Sequence, residues 1–166
     1  MSKTIVIMGS SNPLGDTFNV CKSIVDEYKF KFQDLNELVI MPYDYEHENS
    51  DDDFIGFMQH VVESYDTILL ATPVYWYSVS GIMKNFIDRF TDLLTIEKDM
   101  GRQLRGKSMA AVSVSKSDDC PEEFSLPLKR TADYLGMNWK GYAHFPVNEK
   151  EIWDKRLKKL GEYLSV

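Results

Sequence analysis

Cysteine is scarce in this chain: Cys21 and Cys120 are the only two in 166 residues. That excludes a disulfide framework and fits a reducing compartment. Cys21 falls on the apolar stripe of a helical segment and reads as a buried thiol. Histidine is equally sparse, and His47, His60 and His144 show no metal-ligand spacing, so no protein-bound metal is expected. No apolar run approaches the roughly 20 residues of a membrane span. Positive charge is in deficit, with a formal net charge of −7. Nucleic acid and anionic membrane are therefore not expected as partners, since both need a basic face. Met1-Ser2-Lys3-Thr4 leads directly into a strand-like run with no signal-peptide layout, so a cytoplasmic location is the expectation. Low-complexity tracts, internal repeats and linkers are also missing.

What is present is an ordinary globular composition, 43% hydrophobic and 27% charged, in a length suited to one domain. Short apolar runs alternate with helical periodicity. Lys3 to Gly9 contains the unbroken run Ile5-Val6-Ile7-Met8, which predicts a strand covered on both faces. From Asp16, the residues Phe18, Cys21, Ile24 or Val25, and Tyr28 share a helical face. Leu38 to Met41 is a second apolar run, ended by Pro42, and reads as the second strand. Ser50 and the three aspartates after it suit a helix start, with Phe54, Met58, Val61 and Tyr65 on one face. Ile68 to Ala71 predicts the third strand, and apolar positions from Ile82 to Leu94 the next helix. Thr95 to Lys107 reads as loop, Met109 to Val114 as the fourth strand, and Pro121 as the first turn of a helix that ends near Gly136. Trp139 to Phe145 and Glu149 to Leu164 complete five strand–helix units. Such alternation implies one doubly wound α/β domain over residues 1–166, with a mainly parallel sheet. A ligand then belongs beyond the carboxyl ends of the strands, where the winding reverses.

Two loops at that edge carry chemistry. Gly9-Ser10-Ser11-Asn12-Pro13-Leu14-Gly15-Asp16-Thr17 joins a strand to a helix start, whose unpaired N–H groups and positive dipole end suit a phosphate. It lacks the Gly-x-Gly-x-x-Gly pattern and a Gly-Lys-Ser/Thr ending, so neither a dinucleotide fingerprint nor a nucleotide-hydrolysing loop is indicated. By itself it reads equally as a polar turn with Asp16 as N-cap. The second loop follows the third strand and places Tyr75, Trp76 and Tyr77 side by side where polar turn residues are usual. With Pro73 and Val74 they can form a flat apolar wall for a flavin ring. Tyr77 reads equally as a core or subunit contact.

Residues 72–89, Thr-Pro-Val-Tyr-Trp-Tyr-Ser-Val-Ser-Gly-Ile-Met-Lys-Asn-Phe-Ile-Asp-Arg, resemble a motif of the flavodoxin-like NADPH-dependent FMN reductases, also called NAD(P)H:quinone oxidoreductase-type flavoproteins. Gly9-Ser10-Ser11 with Gly15-Asp16-Thr17 resembles the phosphate loop of that family. The resemblance implies a three-layer αβα sandwich with strand order 2-1-3-4-5, noncovalent FMN, NADPH or NADH as electron donor, a small-molecule acceptor such as a quinone, flavin, azo or nitro compound or metal ion, and a homodimer or homotetramer. It places the FMN phosphate on Ser10, Asn12, Gly15, Asp16 and Thr17, with Leu14 and Phe18 alongside. It places the ring on Pro73, Val74, Tyr75 and Trp76, then Tyr77, Ser78 and Gly81, with Ser115 of the fourth-strand loop on its other side.

The chain departs from the family pattern at Asn12, where arginine is frequent, and at Asp16, where asparagine is frequent. Pro42 to Asp53 holds no cysteine, which argues against the iron–sulfur centre of some relatives. Ser115-Lys116-Ser117-Asp118-Asp119-Cys120 matches no family motif, and Cys120 reads as a plain loop thiol. Lys84 and Arg89 read as surface charge or an ion pair, and Asp51 to Asp53 as a helix-start cluster. No acid–base catalyst is nominated, because a flavin carries the chemistry itself. The rival reading is a flavodoxin-type electron carrier. A third is a scaffold that has lost the flavin.

Overall fold

The computed structural model describes residues 3–164. Five parallel strands form one sheet in the order β2-β1-β3-β4-β5. They are β1 (Thr4–Met8), β2 (Lys31–Asp34), β3 (Thr67–Pro73), β4 (Ser108–Ser115) and β5 (Asn138–Pro146). Every residue of β1 and β3 is buried, as their unbroken apolar runs require. Successive side chains go to opposite faces. Ile5, Ile7, Ile68 and Leu70 pack on one side with α2 (Asp53–Ser64) and α3 (Gly81–Asp88). Val6, Met8, Leu69 and Ala71 pack on the other with α1 (Asp16–Tyr28) and α7 (Trp153–Leu164). The result is the expected three-layer αβα sandwich in the expected strand order.

The second strand is misplaced by the sequence pattern. It is Lys31–Asp34, pairing from Ile5 with Lys31 to Met8 with Asp34, and not Leu38 to Met41. An edge strand needs little apolar content, and Lys-Phe-Gln-Asp has one apolar side chain. The run at 38–41 stays extended but bonds to carboxylates. Val39 N–H donates to Asp53 Oδ2 at 2.7 Å and Met41 N–H to Asp52 Oδ2 at 2.7 Å. Leu38 and Ile40 then pack on the first core.

Thr95 to Lys107 is not all loop. It contains α5 (Lys98–Arg102), whose Gly101 approaches α4 (Asp92–Thr95) so closely that a Cβ there would meet the Leu93 carbonyl oxygen at 1.9 Å. The helix predicted from Ile82 to Leu94 is broken by one tight turn at Arg89–Thr91. The stretch after Pro121 begins as a tight turn at Glu122–Ser125 before α6 (Leu126–Tyr134), with Pro127 in its first turn. Asp52, not Ser50, caps α2 by accepting from Phe54 N–H at 2.9 Å. Lys84 pairs with Asp88 on the surface, but Arg89 is 1% exposed and belongs to the interior. Its ion pairs are therefore buried, contrary to the surface alternative.

Candidate functional site

The carboxyl ends of β1, β3 and β4 surround a cleft of about 510 Å³, within the usual range for small-molecule sites. Its first wall is the β1–α1 loop. Gly9 N–H donates to Ala71 O at 2.9 Å, continuing the sheet by one bond. A Cβ at Gly9 would sit 2.9 Å from the Met83 backbone, so glycine lets the start of α3 close over the end of β1. Gly15 N–H donates to Asn12 O at 3.2 Å, which makes the loop a tight turn. Ser10 is buried, and its hydroxyl donates to Asn12 O at 3.2 Å. Gly15 is the N-cap of α1 and offers no capping side chain, so the first-turn N–H groups stay open to the cleft. Thr17 lines the cleft and is 3% exposed, and its hydroxyl has no protein partner among the described residues.

The second wall is the loop from Pro73 to Ser80. Tyr75 and Ser78 exchange backbone bonds of 2.9 and 3.0 Å, closing a two-residue hairpin around Trp76 and Tyr77. Both central residues are left-handed, with φ of 51° and 59°. Such turns normally take Asn-Gly, because bulky side chains are strained there. Trp76 is nevertheless 96% exposed and Tyr77 69% exposed. Strain held by exposed aromatics is a mark of function. Tyr75 hydrogen-bonds Ser11 Oγ at 2.9 Å and so ties the two walls together.

Thr72 and Ser80 fasten this loop from beneath, a role the sequence pattern does not reveal. Ser80 is buried, donates to Gly9 O at 2.7 Å and accepts from Met83 N–H at 3.0 Å. Ser80 N–H donates to Thr72 Oγ1 at 3.0 Å. Asn36, just past β2, donates to Ser10 O at 2.7 Å and to Asp34 Oδ1 at 2.8 Å. Thr72 and Ser80 lie within the 72–89 motif, but their tie to Gly9 and the tie of Asn36 to Ser10 span 71 and 26 residues and follow no readable spacing.

The third wall is the end of β4, Val114 and Ser115, with Lys116, Ser117 and Asp119 of the loop after it. Lys116 Nζ reaches Asp16 Oδ2 at 2.8 Å. Behind this wall lies a buried polar chain. His144 Nε2 is 3.0 Å from the Ser117 carbonyl, which can only accept, so Nε2 carries the proton. Nδ1 then accepts from Ser113 Oγ at 2.8 Å, and Ser113 Oγ accepts from the Tyr142 hydroxyl at 2.6 Å. Burial raises the Tyr142 pKa, and the adjacent Cys120 thiol adds to the rise. Cys120 is a loop thiol as expected, and its Sγ lies 3.3 Å from that hydroxyl, which joins it to this chain. Ser113→Ala removes the partner of the His144 Nδ1 acceptor and one of the two partners of the Tyr142 hydroxyl. It is expected to lower the unfolding free energy by about 1–3 kcal/mol, as a shift in the urea midpoint with unchanged m-value.

Of the residues singled out from the sequence, Ser10, Asn12, Asp16, Thr17, Pro73, Val74, Tyr75, Trp76, Tyr77 and Ser115 come together on the cleft. Leu14 lies beside the loop and is 77% exposed. Phe18 turns to the second core, edge-on to Phe32 with centroids 5.9 Å apart. Gly15, Ser78 and Gly81 act through the backbone, as turn, hairpin closure and first residue of α3. Among the described residues no group of three or more His, Cys, Asp or Glu side chains could hold a metal ion, and no helix is long and apolar enough to cross a membrane.

Known proteins share this frame. The Bacillus subtilis (strain 168) protein YwqN, named for NAD(P)H-dependent FMN-containing oxidoreductase activity, is 27% identical over 153 residues, covering 85% of this chain and 83% of its own. The NADPH azoreductase of Bacillus sp. (strain OY1-2) is 29% identical over 96 residues, or 58% of this chain and 54% of its own. Among solved structures, a Trp repressor binding protein from Bacillus subtilis superposes with a TM-score of 0.74 at 21% identity, covering 97% of this chain and 99% of its own. At that identity it shows the fold alone. A sequence model of the NADPH-dependent FMN reductases matches residues 2–151. With a flavodoxin-like sheet order, an open helix start and an aromatic wall on one cleft, the chain belongs to the NADPH-dependent FMN reductase family.

Proposed function

We propose that this cleft holds FMN, with the phosphate at the β1–α1 turn and the ring against the aromatic hairpin. The protein's reaction is that of its family, NAD(P)H-dependent reduction through FMN. The observation that carries the placement is Thr17, a 3%-exposed residue on the cleft beside the uncapped start of α1, whose hydroxyl has no protein partner among the described residues. Open N–H groups and a positive helix end fit a phosphate. Ser10 and Asn12 line the same end of the cleft. Pro73, Val74, Tyr75 and Trp76 supply a flat apolar surface at the other. FMN held there would supply the chemistry of hydride acceptance from a nicotinamide and of electron delivery to a second substrate. The chain's own residues bind, orient and partly shield it. Ser11 and Tyr75 hold the two walls at a fixed distance, and Ser115 closes the third side.

The second substrate is a small molecule. We favour a quinone, free flavin, azo or nitro compound, or metal ion, since the cleft is open to solvent beside the exposed Trp76. The same reading makes residues 1–166 a single FMN-binding domain that works in the cytoplasm as a homodimer or homotetramer. Exposed Trp76 and Tyr77 support self-association, and the net charge of −7 disfavours nucleic acid and anionic membranes as partners. Light scattering on the purified protein measures the assembly.

The deciding experiment is anaerobic mixing of the FMN-loaded protein with NADPH and, separately, NADH. Rapid bleaching of the flavin is expected. A flavin that resists both donors but exchanges electrons with a protein would make the molecule a carrier. Gly15→Asp places charge and bulk at the turn, where even a Cβ would meet Asn12 Nδ2 at 2.7 Å. It is expected to weaken FMN about tenfold or more, read by quenching of flavin fluorescence. Unchanged affinity would move the phosphate elsewhere.

A further inference from the structure

We infer that Lys116, held in place by Asp16, is the cation that makes this cleft select a phosphorylated flavin over an unphosphorylated one. The inference rests on the placement of the FMN phosphate at the β1–α1 turn. From Gly9 to Thr17 the loop contains one charged side chain, and it is the carboxylate of Asp16. An anion seated at the start of α1 is therefore repelled by the nearest charge on its own loop. Lys116 reaches that carboxylate from the β4 loop, with Nζ 2.8 Å from Oδ2. It is the sole cation among the described residues lining the cleft, whose other charged lining residues are Asp16 and Asp119.

The pair is not explained by stability or by helix capping. Its side chains are 73% and 49% exposed, and such pairs contribute little to folding. Asp16 is the first residue of α1 rather than its N-cap, and Lys116 is its side chain's hydrogen-bond partner. What the carboxylate accomplishes is to bring a flexible ammonium to the helix start. Thr17 independently marks that spot as a ligand position, because the residue is 3% exposed, lines the cleft and has a hydroxyl with no protein partner among the described residues. A lysine has the reach and rotatable donors to bond an entering phosphate while staying near its carboxylate. It thus supplies from the third loop the positive charge that Asn12 does not supply from the first. A flavin without a phosphate gains nothing from it.

The test is titration of FMN and of riboflavin into apoprotein, followed by flavin fluorescence at low and high salt. Four proteins are compared: wild type, Lys116→Gln, Lys116→Arg, and Lys116→Gln with Asp16→Asn. Wild type is expected to prefer FMN. Lys116→Gln should weaken FMN about tenfold and flatten its salt dependence, with riboflavin binding unchanged as the control for an intact cleft. Lys116→Arg should keep the preference. Adding Asp16→Asn to Lys116→Gln should recover part of the loss, because it removes an uncompensated carboxylate. If wild type binds FMN but Lys116→Gln binds it equally well, the inference fails and the FMN placement stands. If Lys116→Gln loses both flavins alike, selection through the phosphate is also overturned. If wild type binds neither flavin, the FMN placement itself fails and takes the inference with it.

Discussion

Arg89→Leu is expected to lower the unfolding free energy by about 3–5 kcal/mol, the largest effect of any single substitution outside the cleft. Arg89 is 1% exposed. Its Nε donates to Asp92 Oδ2 at 2.6 Å, one terminal nitrogen to Asp52 Oδ2 at 2.5 Å and Met41 O at 2.9 Å, and the other to Asn49 O at 3.1 Å. The guanidinium lies over Phe54, 4.9 Å from the ring centroid. His47 reaches the other oxygen of Asp92 at 2.9 Å. One side chain thereby fastens the irregular segment from Met41 to Asp52 onto the helices α2 to α4. Removing it leaves Asp52 and Asp92 buried without their cation. A urea melt at neutral pH measures the loss, and a loss below about 1 kcal/mol would place Arg89 among ordinary surface ion pairs. Replacing Arg89, Asp52 and Asp92 together by apolar residues is expected to recover much of the stability, since the unpaired charges go with the arginine.

The same cluster sets an acid dependence. Burial raises the Asp52 carboxyl pKa, but hydrogen bonds from Arg89 and from the Phe54 and Met41 N–H groups outweigh it, so the pKa is lowered overall. A carboxyl lowered in the folded state stabilises fully above its unfolded pKa of about 3.9. That stabilisation is lost as the pH falls through the folded value. Wild type should therefore lose stability below about pH 4 more steeply than the triple apolar variant.

Trp76→Asn with Tyr77→Gly is expected to move stability and binding in opposite directions. Each left-handed bulky residue costs roughly 1–2 kcal/mol, and Asn-Gly is the preferred pair for this turn. The aromatic side chains lose little packing on replacement, being 96% and 69% exposed. The variant should therefore unfold at a higher urea concentration than wild type. If the ring of FMN stacks on this hairpin, the same variant should bind FMN about tenfold or more weakly, in line with roughly 1–3 kcal/mol for a planar ring on an aromatic side chain. A less stable variant would show that the turn is not strained. Unchanged FMN affinity would remove both aromatics from the ring site and leave them to a subunit contact.

Both substitutions fall in residues 72–89, the most legible stretch of the chain, and they show how far legibility went. The aromatics were conspicuous because bulky apolar residues in a loop break the usual pattern. Their left-handed conformation was invisible, because Trp and Tyr carry none of the turn preference of Asn-Gly. Arg89 reads from the sequence as surface charge or an ion pair; it is an ion pair, and its burial is hidden because it depends on Asp52 and Met41, which the fold brings back from 37 and 48 residues away. The role of Lys116 is hidden for the same reason: its partner Asp16 is 100 residues distant.

Features that depend on local periodicity and on burial from both sides are legible in the residues alone. These are the buried strands β1, β3 and β4, most of the helices between them, and hence the parallel sheet. The turn from Gly9 to Thr17 is legible too, because small residues before a helix start are a local signal. Tertiary structure alone decided the edge strand at Lys31–Asp34, the buried cluster around Arg89, the chain from Cys120 to His144, and the charge balance of Asp16 with Lys116. Each depends on polar groups meeting across long stretches of sequence. A carboxylate or hydroxyl has the same composition whether it faces water or a partner, and only the packed chain distinguishes the two.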